Sequence, residues 1–194
     1  MTPLNVLITG ASRGIGFETG LVFARAGHTV FATMRNPSKY PELSAIIDQE
    51  NLPVHIEVMD VNSDESVKNC FSQIYDEHGF IDVLINNAGI EKHGSIEELD
   101  LDDFRSVMET NYFGVLRCMK AVVPHMRQER KGCVINVASV SGKISNPPLS
   151  PYAPSKFALE ALSEAFAAEM KSFGVRVYIV EPGIINTDMA QDMS

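Results

Sequence analysis

Basic runs are missing from this chain, and so are long apolar ones. Lysine and arginine total 16 against 25 aspartates and glutamates, for a formal net charge of −9. Nothing here supports contact with a phosphate backbone, and nucleic acid is not an expected partner. No apolar stretch approaches the length needed to cross a bilayer, so no membrane partner is expected either. The chain opens Met1-Thr-Pro-Leu-Asn5 and passes directly into a strand pattern, without the n-region and h-region of a signal peptide. Cysteine is scarce: Cys70, Cys118 and Cys133 form an odd set with neither CxxC nor metal-ligand spacing, so no metal is expected. They fit a reducing cytosol and read as small apolar packing residues rather than nucleophiles. Linkers, repeats and low-complexity segments are also missing. What remains is a soluble, cytoplasmic chain of 194 residues, about one domain, with an ordinary 45 % hydrophobic and 21 % charged content.

Within that domain the patterns alternate. Apolar, β-branched runs at 4–9, 29–33, 54–59, 81–85, 134–137 and 175–180 read as strands. Between them lie helical patterns at 15–26, ending at Gly27, and more weakly at 40–51. A third runs from the Ser63 cap to about His78, with Gly79 ending it. Residues 101–130 read as one long helix carrying Phe104, Val107, Met108, Tyr112, Val115 and Met119, with possible adjustment at Gly114 and Pro124. The last helix covers 152–172. Near-continuous apolar strands separated by helices imply a parallel sheet covered on both faces, a doubly wound α/β domain of the Rossmann type spanning 1–194.

Ligands of such sheets bind outside the carboxyl ends of the strands. After the first strand comes Thr9-Gly10-Ala11-Ser12-Arg13-Gly14-Ile15-Gly16. Its glycines let backbone approach a pyrophosphate, and the helix that follows supplies amides and a positive dipole end. The spacing differs from GxGxxG, so its position after a first strand carries the reading. The second strand ends at Thr33-Met34-Arg35-Asn36, where an acid commonly binds the ribose 2′-hydroxyl of NAD. No acid stands there, and Arg35 with Arg13 suits the 2′-phosphate of NADP, with NAD as the less favoured cofactor. The plain alternative is two solvated arginines. Asp60-Val61 after the third strand suits an adenine, and Asn86-Asn87-Ala88-Gly89 after the fourth makes a turn tight enough to press backbone against a ligand.

The chemistry centres on 136–156. Ser139 follows a short apolar strand, and Tyr152 and Lys156 are one helical turn apart on one helix face. Pro151 and Pro154 are tolerated at that helix's start. A cation beside a phenol favours phenolate, so Lys156 is expected to lower the Tyr152 pKa from its usual value of about 10. Ser139 would hydrogen-bond the same substrate oxygen. Read alone, a four-residue Tyr/Lys spacing arises often by chance, and a surface tyrosine and lysine with a turn serine is the favoured reading.

Together Thr9-Gly-x-x-x-Gly-x-Gly16, Asn86-Asn-Ala-Gly89, Asn111, Ser139, Tyr152-x-x-x-Lys156 and Pro182-Gly183 resemble the short-chain dehydrogenase/reductases, in order and over the whole chain. Members related to hydroxysteroid and retinol dehydrogenases look most similar. The resemblance implies that Tyr152 donates or accepts the proton, Ser139 positions the substrate oxygen, and Lys156 holds the nicotinamide ribose. Asn111 would help hold a water linking Lys156 to solvent. Gly10, Ser12, Arg13, Gly14, Ile15, Gly16, Arg35, Asp60, Val61, Asn87, Ala88 and Gly89 would bind the cofactor with Tyr152 and Lys156. Pro182, Gly183, Ile185 and Thr187 would join them, Thr187 against the nicotinamide carboxamide.

The implied activity is NADP(H)-dependent hydride transfer to or from a secondary alcohol or carbonyl. The alternatives are a non-catalytic NADP-binding sensor on the same fold and a sugar-nucleotide epimerase or dehydratase. A homodimer or homotetramer is expected, because the two long helices carry apolar residues, Phe157, Leu159, Leu162, Phe166 and Met170 among them, on more than one side. The family continues for some fifty residues or more, with a substrate-covering segment and a seventh strand, so a longer parent is expected. Val140, Ser141, Ile144, Asn146, Leu149 and His93 are the candidate lining for a small, mostly apolar substrate. His93 reads as a loop residue rather than a second acid.

Overall fold

In the computed structural model, which describes residues 2–186, the apolar runs pair into one parallel sheet. Its strands are β1 (Asn5–Thr9), β2 (Thr29–Met34), β3 (Val54–Val58), β4 (Val83–Asn86), β5 (Gly132–Val137) and β6 (Val175–Val180). Their order is β3-β2-β1-β4-β5-β6. Between β1 and β4 the winding reverses, and there the loops after the two strands diverge to leave a crevice. Register at the reversal sets Val6 beside Val83 and Ile8 beside Ile85.

The helices are α1 (Gly14–Arg25), α2 (Pro41–Glu50), α3 (Asp64–His78), α4 (Leu101–Met108), α5 (Gly114–Glu129) and α6 (Tyr152–Met170). Leu21 and Leu43 pack with Val6, Ile8 and Val30 on one face of the sheet. Phe71, Met119, Val122, Leu159 and Phe166 pack with Leu7, Leu84 and Val134 on the other. The core is therefore two layers divided by the strands, as alternate side chains of a buried parallel sheet require. Cys70, Cys118 and Cys133 are all unpaired and buried in these layers. Burial pushes the Cys70 and Cys118 thiols up to about 12, which leaves them un-ionised at neutral pH.

Local chemistry sets most boundaries. The Ser63 hydroxyl accepts from the Ser66 amide at 3.2 Å and starts α3, with Asp64 and Glu65 in its first turn. Gly27 and Gly79 follow α1 and α3 with positive φ. One expectation needs correction: 101–130 is not a continuous α-helix. It opens into a π-turn at Glu109–Phe113, between α4 and α5, while Pro124 stays inside α5. The final helix also ends two residues early, in a 3-10 turn at Lys171–Phe173.

β6 is an edge strand among the described residues, with Tyr178 and Val180 exposed. No helix among the described residues is long and apolar enough to cross a membrane.

Candidate active site

At the crevice, the loop after β1 and the loop after β4 are tied by a shared set of hydrogen bonds. The buried Thr9 hydroxyl accepts from the Asn87 and Ala88 amides at 3.0 and 2.9 Å. The Asn87 side-chain amide donates to the Thr9 and Gly10 carbonyls at 2.9 and 3.0 Å. Gly10 has φ +66, and a Cβ on it would lie 2.8 Å from the Ala88 Cα. A Cβ on Gly16 would overlap the Asn87 amide and the Gly10 carbonyl. Side chains are excluded here by backbone approach, not by chance composition. The first turn of α1 carries no acid, so its dipole end is available to an anion. Arg13 and Arg35 are exposed, and both line the cavity that starts at this loop.

That cavity, about 710 Å³, runs without a break to Ser139, Tyr152 and Lys156. Ser139 lies just past the end of β5, where its hydroxyl accepts from the Ser141 amide at 3.1 Å. Tyr152 and Lys156 occupy the first turns of α6, and both are buried. A helix start buried against a strand end brings the three groups together.

The electrostatics differ from expectation. Burial raises the Tyr152 pKa above 10, the Ser139 hydroxyl bonded to the phenol pulls against this, and the Glu91 carboxylate adds to the rise. The Lys156 ammonium is 5.5 Å from the Tyr152 ring centroid and donates to the Val137 carbonyl at 2.9 Å. In this arrangement it does not lower the phenol; desolvation prevails. Burial likewise pulls Lys156 down to about 8, although Glu91 and Glu160 favour its charged form.

Asn111 lies in the π-turn and is fully buried. Its Oδ1 accepts from the Ile90 amide at 2.9 Å, and its Nδ2 donates to the Ile90 carbonyl at 2.9 Å and to Ser155 Oγ at 3.0 Å. Ser155 in turn donates to the Tyr152 carbonyl at 2.6 Å. The widened turn thus aims one amide at the loop after β4 and at the start of α6 together. Such π-turns recur at functional sites. Behind it, Asn86 Nδ2 donates to Asn136 Oδ1 and Asn136 Nδ2 to Ser163 Oγ, both at 2.8 Å.

Of the expected cofactor residues, Gly10, Ser12, Arg13, Gly14, Ile15, Arg35, Asp60, Val61, Asn87, Ala88, Gly89, Tyr152, Lys156, Pro182, Gly183 and Ile185 line the one cavity. Gly16 and Asn111 support it from behind. Thr187 lies outside the described residues. On the substrate side Val140, Ser141, Asn146 and Leu149 line it; Ile144 points to solvent and His93 stands behind Glu91.

Sequence reasoning missed Glu91, whose place just after the fourth strand's turn was the available signal. It also missed Lys143, which spans Glu160 at 3.1 Å and Glu181 at 3.5 Å across α6 and the end of β6. Among the described residues no three His, Cys, Asp or Glu side chains gather to hold a metal.

The cradle fits a dinucleotide. Bare backbone stands where a pyrophosphate would approach, cations at one end and titratable groups at the other. Comparison with known proteins agrees: the sequence profile described as short chain dehydrogenase matches residues 4–194. A 3-ketodihydrosphingosine reductase from Bacteroides thetaiotaomicron is 41 % identical over 188 residues, covering 96 % of this chain and 66 % of that protein. Retinol dehydrogenase 8 from Homo sapiens is 38 % identical over 190 residues, covering 96 % of this chain and 60 % of its own length. The chain therefore spans less than two thirds of the length of these curated relatives. Among solved structures, a gluconate 5-dehydrogenase from Burkholderia cenocepacia, in complex with NADP and tartrate, superposes with a TM-score of 0.92. It is 29 % identical, and the match covers 99 % of this chain and 75 % of that one. ElxO with NADP bound matches at a TM-score of 0.90 and 31 % identity, covering 98 % and 77 % of the two chains.

Proposed function

The chain belongs to the short chain dehydrogenase family, and from that premise we propose that it is an NADP(H)-dependent oxidoreductase acting on an apolar carbonyl or secondary alcohol. The observation that carries this reading is the single cavity joining the glycine loop to Ser139, Tyr152 and Lys156. The bound nicotinamide cofactor supplies or accepts the hydride at the substrate carbon.

The chain's own groups do the rest. Gly10 and Gly14 admit a pyrophosphate to the α1 amides, and Arg13 and Arg35 take a 2′-phosphate. Ser139 orients the substrate oxygen, Tyr152 exchanges a proton with it, and Lys156 holds the ribose. A phenol whose pKa is raised by burial keeps its proton at neutral pH, the state that carbonyl reduction needs. The NADP carried by two solved neighbours supports the cofactor choice. Relatives named for 3-ketodihydrosphingosine and retinol support an apolar substrate. Three unpaired buried cysteines suit a reducing cytoplasm.

The test is Tyr152→Phe, which removes one oxygen. NADPH affinity, read by fluorescence titration, should hold, while ketone turnover on the same sample falls by about 10²–10⁴-fold. Turnover near the original rate would overturn the assignment of Tyr152 as the acid.

A further inference from the structure

Glu91 is a carboxylate at a place where a carboxylate works against the reaction. Hydride addition to a carbonyl builds negative charge on oxygen beside Tyr152, and a fixed anion nearby raises the cost of that charge. Glu91 faces the catalytic pair closely enough to push the Tyr152 pKa up and to favour protonated Lys156. Its side chain is only 14 % exposed, so solvent screens it poorly. A local conflict of this kind at a cavity wall points to function.

The residue is also firmly held. Its Oε1 accepts from His93 Nε2 at 2.6 Å. Before it, both main-chain groups of Ile90 are bonded by Asn111. After it, Lys92 pairs with Asp103 at 2.9 Å, and the Gly94 amide donates to the Pro148 carbonyl at 3.0 Å. A loop fixed at four successive places presents a preorganised group rather than a wandering surface acid.

Among the described residues lining the cavity, the charged side chains are Arg13, Arg35, Asp60, Glu91 and Lys156. The first three belong to the glycine loop and the adenosine half. Lys156 is spoken for by the Val137 carbonyl and, on the reading above, by the ribose. Glu160, the other acid behind the site, is paired with Lys143. The substrate half, with Val140, Ser141, Asn146 and Leu149, is otherwise uncharged.

Resting on the oxidoreductase reading, we propose that Glu91, held by His93, recognises a positively charged amino group on the substrate, next to the carbon that exchanges hydride. The substrate is then an α-amino ketone, or the corresponding amino alcohol, whose apolar remainder lies toward Val140 and Leu149. The ammonium supplies the positive charge that offsets Glu91 and leaves the developing alkoxide with a net favourable environment.

The test compares kcat/KM with NADPH for an aliphatic α-amino ketone, its uncharged N-acetyl derivative and the parent ketone. The unmutated chain should prefer the amino ketone over the N-acetyl form by about 10-fold or more, the usual worth of a charge-assisted bond. Glu91→Gln should bring that ratio close to one, and Glu91→Asp should retain part of it. Because each ratio is taken on one sample, loss of folded protein cancels. A ratio near one in the unmutated chain, or an undiminished ratio in Glu91→Gln, overturns the proposal. If NADPH binds but none of the three ketones is reduced, the oxidoreductase reading itself falls and takes this proposal with it.

Discussion

Arg13 and Arg35 line the end of the cavity where the chain leaves β2, and the stretch Thr33-Met34-Arg35-Asn36 carries no acid. A 2′-phosphate brings charge to both guanidinium groups, whereas a ribose 2′-hydroxyl does not. One such contact contributes about 1.5–3 kcal/mol, or roughly 10- to 100-fold in affinity. Arg35→Asp is accordingly expected to erode or reverse a preference for NADPH over NADH, measured as the ratio of the two dissociation constants. Equal affinity for both cofactors in the unmutated chain would sink the assignment. At the same scale, the Tyr152 and Lys156 pair was visible from spacing, but its electrostatics were not. A phenol next to a cation in sequence is expected to ionise more easily. The folded surroundings bury both groups and bring Glu91 against them, and desolvation then outweighs a cation whose nitrogen is turned to Val137.

Among the elements, the π-turn at Glu109–Phe113 has the widest reach. Through Asn111 it connects the loop after β4 with the first turn of α6, so one side chain ties the loop that carries Glu91 to the helix that carries Tyr152. Asn111→Ala leaves the part-buried Ile90 amide and carbonyl without their partner and removes one of the two bonds of the buried Ser155 hydroxyl. The expected loss is about 2–4 kcal/mol of stability by denaturant titration. The Ile90 amide should exchange hydrogen much faster than the amides of β4. Unchanged exchange at Ile90 would mean that the loop is held by other contacts. The six strands and their carboxyl-end loops were legible because an apolar run stops where the chain leaves the sheet. The break in the helix was not. Residues 101–130 carry the periodicity of one helix, and the π-turn answers to a hydrogen-bond partner, Ile90, that only the fold brings near. Glu91 was half legible: its place after the fourth strand's turn was visible in the sequence, but its influence on Tyr152 and Lys156 of α6 comes only with the fold.

For the molecule as a whole, most of the apolar surface anticipated on the long helices turns out to be internal. Leu159, Phe166 and Met170 are buried, whereas Phe157, Phe113 and Leu101 are 44 %, 43 % and 69 % exposed. Those three remain exposed on the α4–α5 and α6 surfaces, and a second copy of the chain is their expected cover. Sedimentation at micromolar concentration should give a dimer or tetramer, and Phe157→Glu should shift it toward the monomer. A monomer in the unmutated protein would remove the case for self-association.

The bond from Lys156 to the Val137 carbonyl has one more consequence. Before any cofactor arrives, the amine already has a partner in the chain's own backbone, and its pKa in that setting is about 8. Loading the cofactor would add a second partner to that amine, and the addition involves hydrogen ions. Near pH 8 about half of the molecules carry a neutral amine. A ribose beside an anionic diphosphate favours the ammonium, so the bound state holds more protons than the free state. The sign follows: affinity is greatest below pH 8 and declines as pH rises through that value. At pH 8 each binding event should withdraw about half a proton from solution. Calorimetric titrations of NADPH in two buffers of different ionisation enthalpy should therefore give different heats. Identical heats would mean that the lysine enters the complex in the protonation state it already had.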